Sequence, residues 1–120
     1  MGSNPTLSAM SMNRIDRRFR ELRCRGQRGL VAYICAGDPA LEATARLVEA
    51  FDLAGADVVE LGIPFSDPLA DGVVNQLAAQ RALASGTTVS GIFAMVRALR
   101  DRGCEVPLCL FTYFNPVHRY

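Results

Sequence analysis

The chain has 120 residues, of which 50% are hydrophobic, and a formal net charge of +1 at pH 7. This apolar content supports a packed core and excludes a disordered chain, while the near-neutral charge gives no general attraction to nucleic acid or to a membrane surface. No apolar run is long enough to cross a bilayer, so a membrane protein is not expected.

Residues 1–12 are expected to form a flexible N-terminal extension. They lack the basic start and the apolar stretch of a signal peptide, which predicts a cytoplasmic protein. An amphipathic helix is predicted next, capped by Ser11 or Asn13 and ended at Gly26. Its apolar face would contain Ile15, Phe19 and Leu22.

This first helix is rich in arginine between Arg14 and Arg28. A nucleic-acid-binding patch is one interpretation of such a run. Asp16 and Glu21 interrupt it, however, which favours a solvated helix face over a nucleic-acid partner.

Strands and helices alternate along the rest of the chain. Buried apolar strands are predicted near residues 29–36, 57–61 and 107–113. Helices are predicted over residues 41–54 and 75–84, and a further one begins at Thr87 or Thr88. This alternation predicts an α/β fold with a parallel sheet in which consecutive strands are neighbours.

The most informative stretch is ELGIPFSDPLADG, which runs from Glu60 to Gly72. It places two carboxylates, Glu60 and Asp71, at the ends of a loop that follows a buried strand. Burying an unpaired carboxylate is costly, so such a residue serves either chemistry or an ion pair. Position alone leaves both roles of Glu60 open: catalysis, or capping of backbone N–H groups and pairing with an Arg.

Three segments carry a resemblance to a known family: GLVAYICAGDP at residues 29–39, the stretch at 60–72, and RALASG at 81–86. They closely resemble the α subunit of tryptophan synthase, and the resemblance continues from about Asn13 to Tyr120. It implies a (β/α)8 TIM barrel of which residues 13–120 form the N-terminal part. Such a barrel needs about 250 residues. The chain would thus form an incomplete TIM barrel, its first strands and helices.

The resemblance also implies a function. Members of this family are lyases of L-tryptophan biosynthesis that cleave indole-3-glycerol phosphate to indole and glyceraldehyde 3-phosphate by a retro-aldol reaction. No cofactor or metal is implied for this reaction. The implied partner is the β subunit of tryptophan synthase, in an α2β2 complex.

By the same resemblance, Glu60 is the acid–base residue and Asp71 is the carboxylate that interacts with the indole N–H. The indole would be bordered by Tyr33, Phe111 and Tyr113, although for each of these aromatic residues ordinary core packing is an equal alternative. Asn75 stands where the family has an aliphatic residue near the ring, which affects substrate fit more than reaction type. Asp67 is expected to contact the β subunit from a mobile loop over residues 62–72.

Composition limits the chemistry independently of the resemblance. A Schiff-base aldolase needs a lysine, and the chain has none. A single histidine is weak evidence for a metal site. The cysteines lack metal-ligand spacing, so we interpret them as structural thiols. These are Cys24, Cys35, Cys104 and Cys109. Carboxylate acid–base catalysis remains, which typically accelerates a reaction by about 10²–10⁴-fold.

Three hypotheses follow. The first is the lyase described above. The second is a truncated, catalytically inactive barrel fragment that at most binds a partner chain. The third, another phosphate-binding barrel enzyme, is disfavoured by the stretch at residues 60–72. On its own the 120-residue chain is expected to be inactive, because it supplies fewer than half the strands of a barrel.

Overall fold

The computed structural model describes residues 12–120. The predicted N-terminal extension therefore lies outside the described residues, apart from Met12. The described chain folds into helices α1 (Arg14–Cys24), α2 (Leu41–Ala54), α3 (Val73–Ala84), α4 (Val89–Asp101) and α5 (Phe114–Arg119). Its strands are β1 (Val31–Cys35), β2 (Val58–Gly62) and β3 (Leu108–Phe111).

The three strands form one parallel sheet in the order β1-β2-β3. Consecutive strands along the chain are neighbours, as the predicted alternation of strands and helices requires. The predicted α/β fold with a parallel sheet is confirmed. In the register, Tyr33 of β1 lies opposite Glu60 of β2, and Glu60 lies opposite Cys109 of β3.

One face of this sheet packs against α2 and α4. Val59 and Leu61 of β2 are fully buried there, together with Val48 of α2 and Leu99 of α4. Burial of an aliphatic side chain of this kind stabilises a fold by about 1.5–3 kcal/mol. Because successive residues of a strand point to opposite faces, Glu60, between Val59 and Leu61, points away from this core.

Helix α1 begins at the predicted cap. The Asn13 Oδ1 accepts a hydrogen bond from the Asp16 backbone N–H at 2.9 Å. The predicted apolar face is only partly covered, because Leu22 is buried whereas Phe19 is 42% exposed. Gly26, with a φ of 63°, lies just past the last turn, where a left-handed residue is expected.

Asp57, one residue before β2, attaches α1 to the amino ends of the strands. Its carboxylate accepts a hydrogen bond from the Leu30 backbone N–H at 2.7 Å and pairs with Arg18 of α1 at 3.3 Å. Helix α1 therefore lies at the end of the sheet opposite to the loop that follows Glu60.

The chain after β3 differs from the prediction. The strand ends at Phe111 rather than Tyr113, and Phe114–Arg119 forms the helix α5, which was not predicted. Pro116 occupies the third position of this helix, where a backbone N–H would have no intrahelical acceptor.

The other helix boundaries agree closely with the sequence. Helix α3 begins at Val73, two residues before the predicted start, because Gly72 takes the extended conformation of an N-cap. Thr88 caps α4, with its Oγ1 accepting from the Gly91 N–H at 3.0 Å. Gly55, with a φ of 86°, ends α2 as predicted.

Within residues 12–120, no helix taken singly has both the length and the apolar character needed to span a membrane. Helices α3 and α4 satisfy those criteria only as a pair, and the pair is bent by 90°.

Candidate active site at the carboxyl ends of the strands

The face of the sheet that points away from the α2–α4 core carries the predicted catalytic glutamate. Tyr33, Glu60 and Cys109 lie side by side on it, and Gly62 and Phe111 lie one step nearer the carboxyl ends. Glu60 is half-buried, whereas Phe111 is 53% exposed. The glutamate and two of the predicted aromatic residues thus share one face.

The two predicted carboxylates act on the same phenol. The pKa of Tyr33 is raised to about 12, mainly by burial, and the charges of Cys35, Asp71 and Glu60 contribute to this rise in that order. Tyr33 is consequently a neutral hydrogen-bonding group at neutral pH. None of the four ion pairs formed within residues 12–120 involves Glu60 or Asp71, so the structural ion pair that the sequence left open for Glu60 is not formed there.

The Tyr33 ring is fixed by two close contacts. It packs edge-on against Phe111, with ring centroids 5.8 Å apart and ring planes at 84°. Its hydroxyl lies over Gly62, in the space that a Cβ at that position would occupy. Gly62 therefore permits the tyrosine to lean across β2, beside Glu60.

Tyr113 contacts the loop of residues 63–72, which we call the Asp71 loop. The Tyr113 hydroxyl accepts a hydrogen bond from the Ala70 backbone N–H at 2.9 Å. Its ring also lies 5.5 Å from the Phe65 ring, measured between centroids. Tyr113 thereby tethers both ends of the Asp71 loop to the segment that follows β3.

Gln76, in the first turn of α3, was missed at the sequence level. Its Nε2 donates hydrogen bonds to the backbone carbonyls of Asp71 at 2.8 Å and Pro68 at 3.4 Å. The Asp71 N–H in turn donates to the Pro68 carbonyl at 3.2 Å. The signal for this role is an amide side chain placed just after a loop whose carbonyls need donors.

A cleft of about 250 Å³ adjoins this site. Its lining includes Tyr33, Cys35, Asp38 and Asn75. Asn75 and Tyr33 thus border the same cleft, and the contact of Asn75 with a substrate stays a prediction. Asn75 is exposed, so water can satisfy the amide that replaces the aliphatic residue of the family.

Asp38, which lines this cleft, forms an ion pair with α3. Arg81 of α3 donates two hydrogen bonds to the Asp38 carboxylate, from Nε at 2.8 Å and from an Nη at 2.9 Å. Hydrogen bonding by Arg81 holds the pKa of Asp38 below its usual value. Neither residue was assigned a role from the sequence, although both belong to the segments that carry the family resemblance.

Gly37, beside Asp38, is held by a polar cluster. Its N–H donates to the Thr44 Oγ1 at 2.9 Å, and its carbonyl accepts from the Ser85 Oγ at 3.0 Å. Its φ is 93°, and an added Cβ would lie 2.7 Å from the Thr87 Cβ. A glycine is required on both counts.

Asp67 is exposed in the Asp71 loop, next but one to Leu69, which is 83% exposed. The loop therefore presents both a charge and an apolar side chain to solvent.

The thiols and potential metal ligands are dispersed. The four cysteines are free, and Cys35 and Cys104 are buried. In the part of the chain that the structure describes, no three His, Cys, Asp or Glu side chains are grouped as a metal site would need.

A larger cleft, about 770 Å³, lies under α1 at the opposite end of the sheet. Arg100 borders it and donates to the carbonyls of Cys104 and Val106 at 2.8 and 2.9 Å. Its guanidinium thus stabilises the turn before β3. The predicted carboxylates are not among the residues that line this cleft.

Comparison with known proteins adds to this geometry. A family model described as "Tryptophan synthase alpha chain" matches residues 19–120. The tryptophan synthase alpha chain of Pelobacter propionicus is 51% identical over 109 residues, which cover 91% of this chain and 40% of that protein. That of Geobacter sulfurreducens is 51% identical over 106 residues, or 88% of this chain and 40% of the relative.

Solved structures agree. The alpha subunit of tryptophan synthase from Legionella pneumophila str. Paris superposes with a TM-score of 0.87 at 44% identity, over 92% of this chain and 42% of that chain. The structure of tryptophan synthase from M. tuberculosis in an aminoacrylate-bound form superposes with a TM-score of 0.81 at 32% identity. The match covers 91% of this chain and 44% of that chain. The chain therefore spans about two fifths of the length of the curated relatives it matches.

Proposed function

The chain belongs to the tryptophan synthase alpha chain family, whose members are TIM-barrel lyases, and on that premise we propose that its residues serve retro-aldol cleavage of indole-3-glycerol phosphate. The products are indole and glyceraldehyde 3-phosphate. The reaction takes place in a complete barrel, of which residues 13–120 form the first strands and helices.

Glu60 is the proposed acid–base residue. Its carboxylic acid protonates the indole ring carbon that bears the glycerol phosphate, and this converts the indole into an iminium-like electron sink. The resulting carboxylate then takes the proton of the neighbouring hydroxyl as the carbon–carbon bond breaks and the aldehyde forms. One carboxyl group serves both steps, so the glutamate returns to its starting state.

Asp71 is the proposed electrostatic partner. Its carboxylate accepts a hydrogen bond from the indole N–H and stabilises the positive charge that develops on nitrogen. The aromatic pair of Tyr33 and Phe111 forms a wall against which the flat indole ring packs. The arrangement that supports this proposal is Glu60 beside Tyr33 in the sheet, with Asp71 near enough for its charge to act on the same tyrosine, at the carboxyl ends of the strands.

The proposal is tested in a hybrid barrel, in which residues 13–120 of this chain replace the matching segment of the Pelobacter propionicus relative. The purified hybrid barrel is expected to release indole from indole-3-glycerol phosphate at a rate comparable to that of the parent relative. A folded hybrid barrel that releases none would refute the proposed function.

The substitution Asp71→Asn in the hybrid barrel is expected to lower kcat by about 10²–10³-fold, the usual cost of removing one preorganised electrostatic group. The amide keeps the shape of the side chain but cannot offset the charge on the indole nitrogen. Steady-state measurement of indole release checks this. A kcat within a few-fold of the unsubstituted hybrid barrel would contradict the role of Asp71.

We further propose that the partner is the β subunit of tryptophan synthase and that Asp67 contacts it. The support is the family membership together with the exposed position of Asp67 in the Asp71 loop, near Leu69. A charge on this loop couples partner binding to Asp71, four residues further along.

Replacement of Asp67 by Ala is accordingly expected to reduce the stimulation of indole release by added β subunit, while release without β subunit stays unchanged. Titration of the hybrid barrel with the β subunit of the parent relative measures both quantities. Asp101→Ala, which removes an exposed aspartate at the far end of α4, is the matched control. Equal stimulation of the Asp67 variant and the control would exclude the contact.

The proposed reaction needs no cofactor or metal, because the protons move between a carboxylate and the substrate alone. The cytoplasm is the proposed compartment, since four free thiols suit a reducing environment.

A further inference from the structure

We propose that Asp38 and Arg81 are positioning residues for the cleavage reaction: their ion pair holds α3 against β1, and α3 in turn holds the backbone of Asp71. This inference rests on the proposed function. Neither side chain is assigned any contact with the substrate. Their effect on the reaction is transmitted through the helix.

The apolar packing of α3 on β1 does not by itself fix the orientation of the helix. It consists of Cys35 together with three small side chains of α3, namely Ala78, Ala79 and Ala82. Alanines allow a helix to approach a strand closely, but they project no ridge that resists sliding or rotation. The orientation of α3 must therefore be fixed by directional contacts.

The contact between Arg81 and Asp38 is directional. A guanidinium that donates two parallel hydrogen bonds to one carboxylate restricts both distance and rotation. The carboxylate belongs to the turn that closes β1, and Gly37 in that turn is itself held by Thr44 and Ser85. The pair thus connects a rigid turn to the second half of α3.

The first half of α3 holds the Asp71 loop. Gln76, five residues before Arg81, donates to the Asp71 carbonyl at 2.8 Å, and Gly72 caps the helix directly after Asp71. A helix transmits a displacement along its axis because its backbone hydrogen bonds keep it stiff. A shift of α3 at Arg81 therefore displaces Asp71 relative to Glu60, which is fixed in β2.

The test is Arg81→Ala in the hybrid barrel. Because a misplacement of about 1 Å costs up to about 10²-fold in rate, kcat is expected to fall between about tenfold and 10²-fold. KM should change less than about threefold, since the pair adds no binding contact. Arg81→Lys, which keeps the charge but loses the two-pronged geometry, is expected to recover only part of the loss.

Arg102→Ala is the matched control. Arg102 also donates a 2.8 Å hydrogen bond to a carboxylate, that of Glu49, and its side chain is exposed to a similar degree, 52% against 57% for Arg81. It joins α4 to α2, away from the Asp71 loop. Its loss is expected to leave kcat and KM unchanged.

A second readout is the alkylation of Cys35, which α3 covers. Burial is the main cause that raises the pKa of Cys35 to about 11, Asp38 and Asp71 add to it, and Arg81 lowers it. Removal of the Arg81 charge alone would therefore raise this pKa further and slow alkylation. If Arg81→Ala instead loosens α3, alkylation becomes several-fold faster, as measured by peptide mass spectrometry with circular dichroism unchanged.

The outcomes separate cleanly. A lower kcat with near-constant KM and faster Cys35 alkylation supports the proposal. An active hybrid barrel whose Arg81→Ala variant keeps its kcat, or loses it without faster alkylation, overturns the positioning role while the proposed function stands. An inactive unsubstituted hybrid barrel overturns the proposed function, and the positioning role with it.

Discussion

Substitution of Glu60 by Gln in the hybrid barrel is expected to abolish indole release, because acid–base catalysis alone contributes about 10²–10⁴-fold to kcat. The amide has the size of the carboxyl group but can neither deliver a proton to the indole carbon nor take one from the hydroxyl. Both halves of the reaction are therefore lost at once. Substrate affinity should persist, because β2 holds position 60 between two fully buried residues of the core.

Single-turnover assays with excess enzyme measure this effect without interference from product release. Glu49→Gln is the matched control, since Glu49 forms its ion pair with Arg102 on the helical surface. Circular dichroism of both variants establishes that they are folded. Near-normal turnover by the Glu60 variant would leave the acid–base role without a basis.

A polypeptide of residues 1–120 alone is expected to release no indole above the uncatalysed background. Its sheet has three strands, whereas the family barrel has eight. The face that carries Glu60 then has no opposite wall, and Phe111 is 53% exposed on it. In TIM barrels a phosphate is usually held by loops after the seventh and eighth strands. Loss of that anchor removes an orientational contribution of up to about 7–11 kcal/mol.

The same polypeptide should self-associate, because β1 and β3 each present a backbone edge with no paired strand among residues 12–120. Size-exclusion chromatography and a coupled assay for glyceraldehyde 3-phosphate test both expectations. Turnover well above background by a monodisperse 120-residue chain would show that the three-stranded portion is catalytically sufficient.

Sequence reasoning located the three strands because they follow from a local pattern, namely apolar runs bounded by glycine and proline. The structure adds that Glu60 lies on the face opposite the buried Val59 and Leu61, in line with the two-residue period of a strand. The resemblance then supplied the roles of Glu60 and Asp71, which stay predictions until the variants are measured.

The supporting contacts could not be predicted in this way, because they join residues far apart in the chain. Asp38 and Arg81 are 43 positions apart, as are Ala70 and Tyr113. Nothing in the local pattern says that an arginine on α3 reaches a turn after β1. Helix α5 was not predicted either: it has only six residues, too few for a periodic apolar face, and its Pro116 is compatible with a helix only in the first turn.

The contact between the Tyr33 hydroxyl and Gly62 has an evolutionary consequence. Because the hydroxyl fills the space of a Cβ at position 62, the two positions cannot vary independently. Two ring carbons of Tyr33 would also lie within 3 Å of that Cβ, so an alanine at 62 is compatible only with a side chain at position 33 that is smaller or placed differently. The order in which mutations arise at these two positions therefore decides whether a lineage passes through a damaged intermediate, because their effects on stability are not additive.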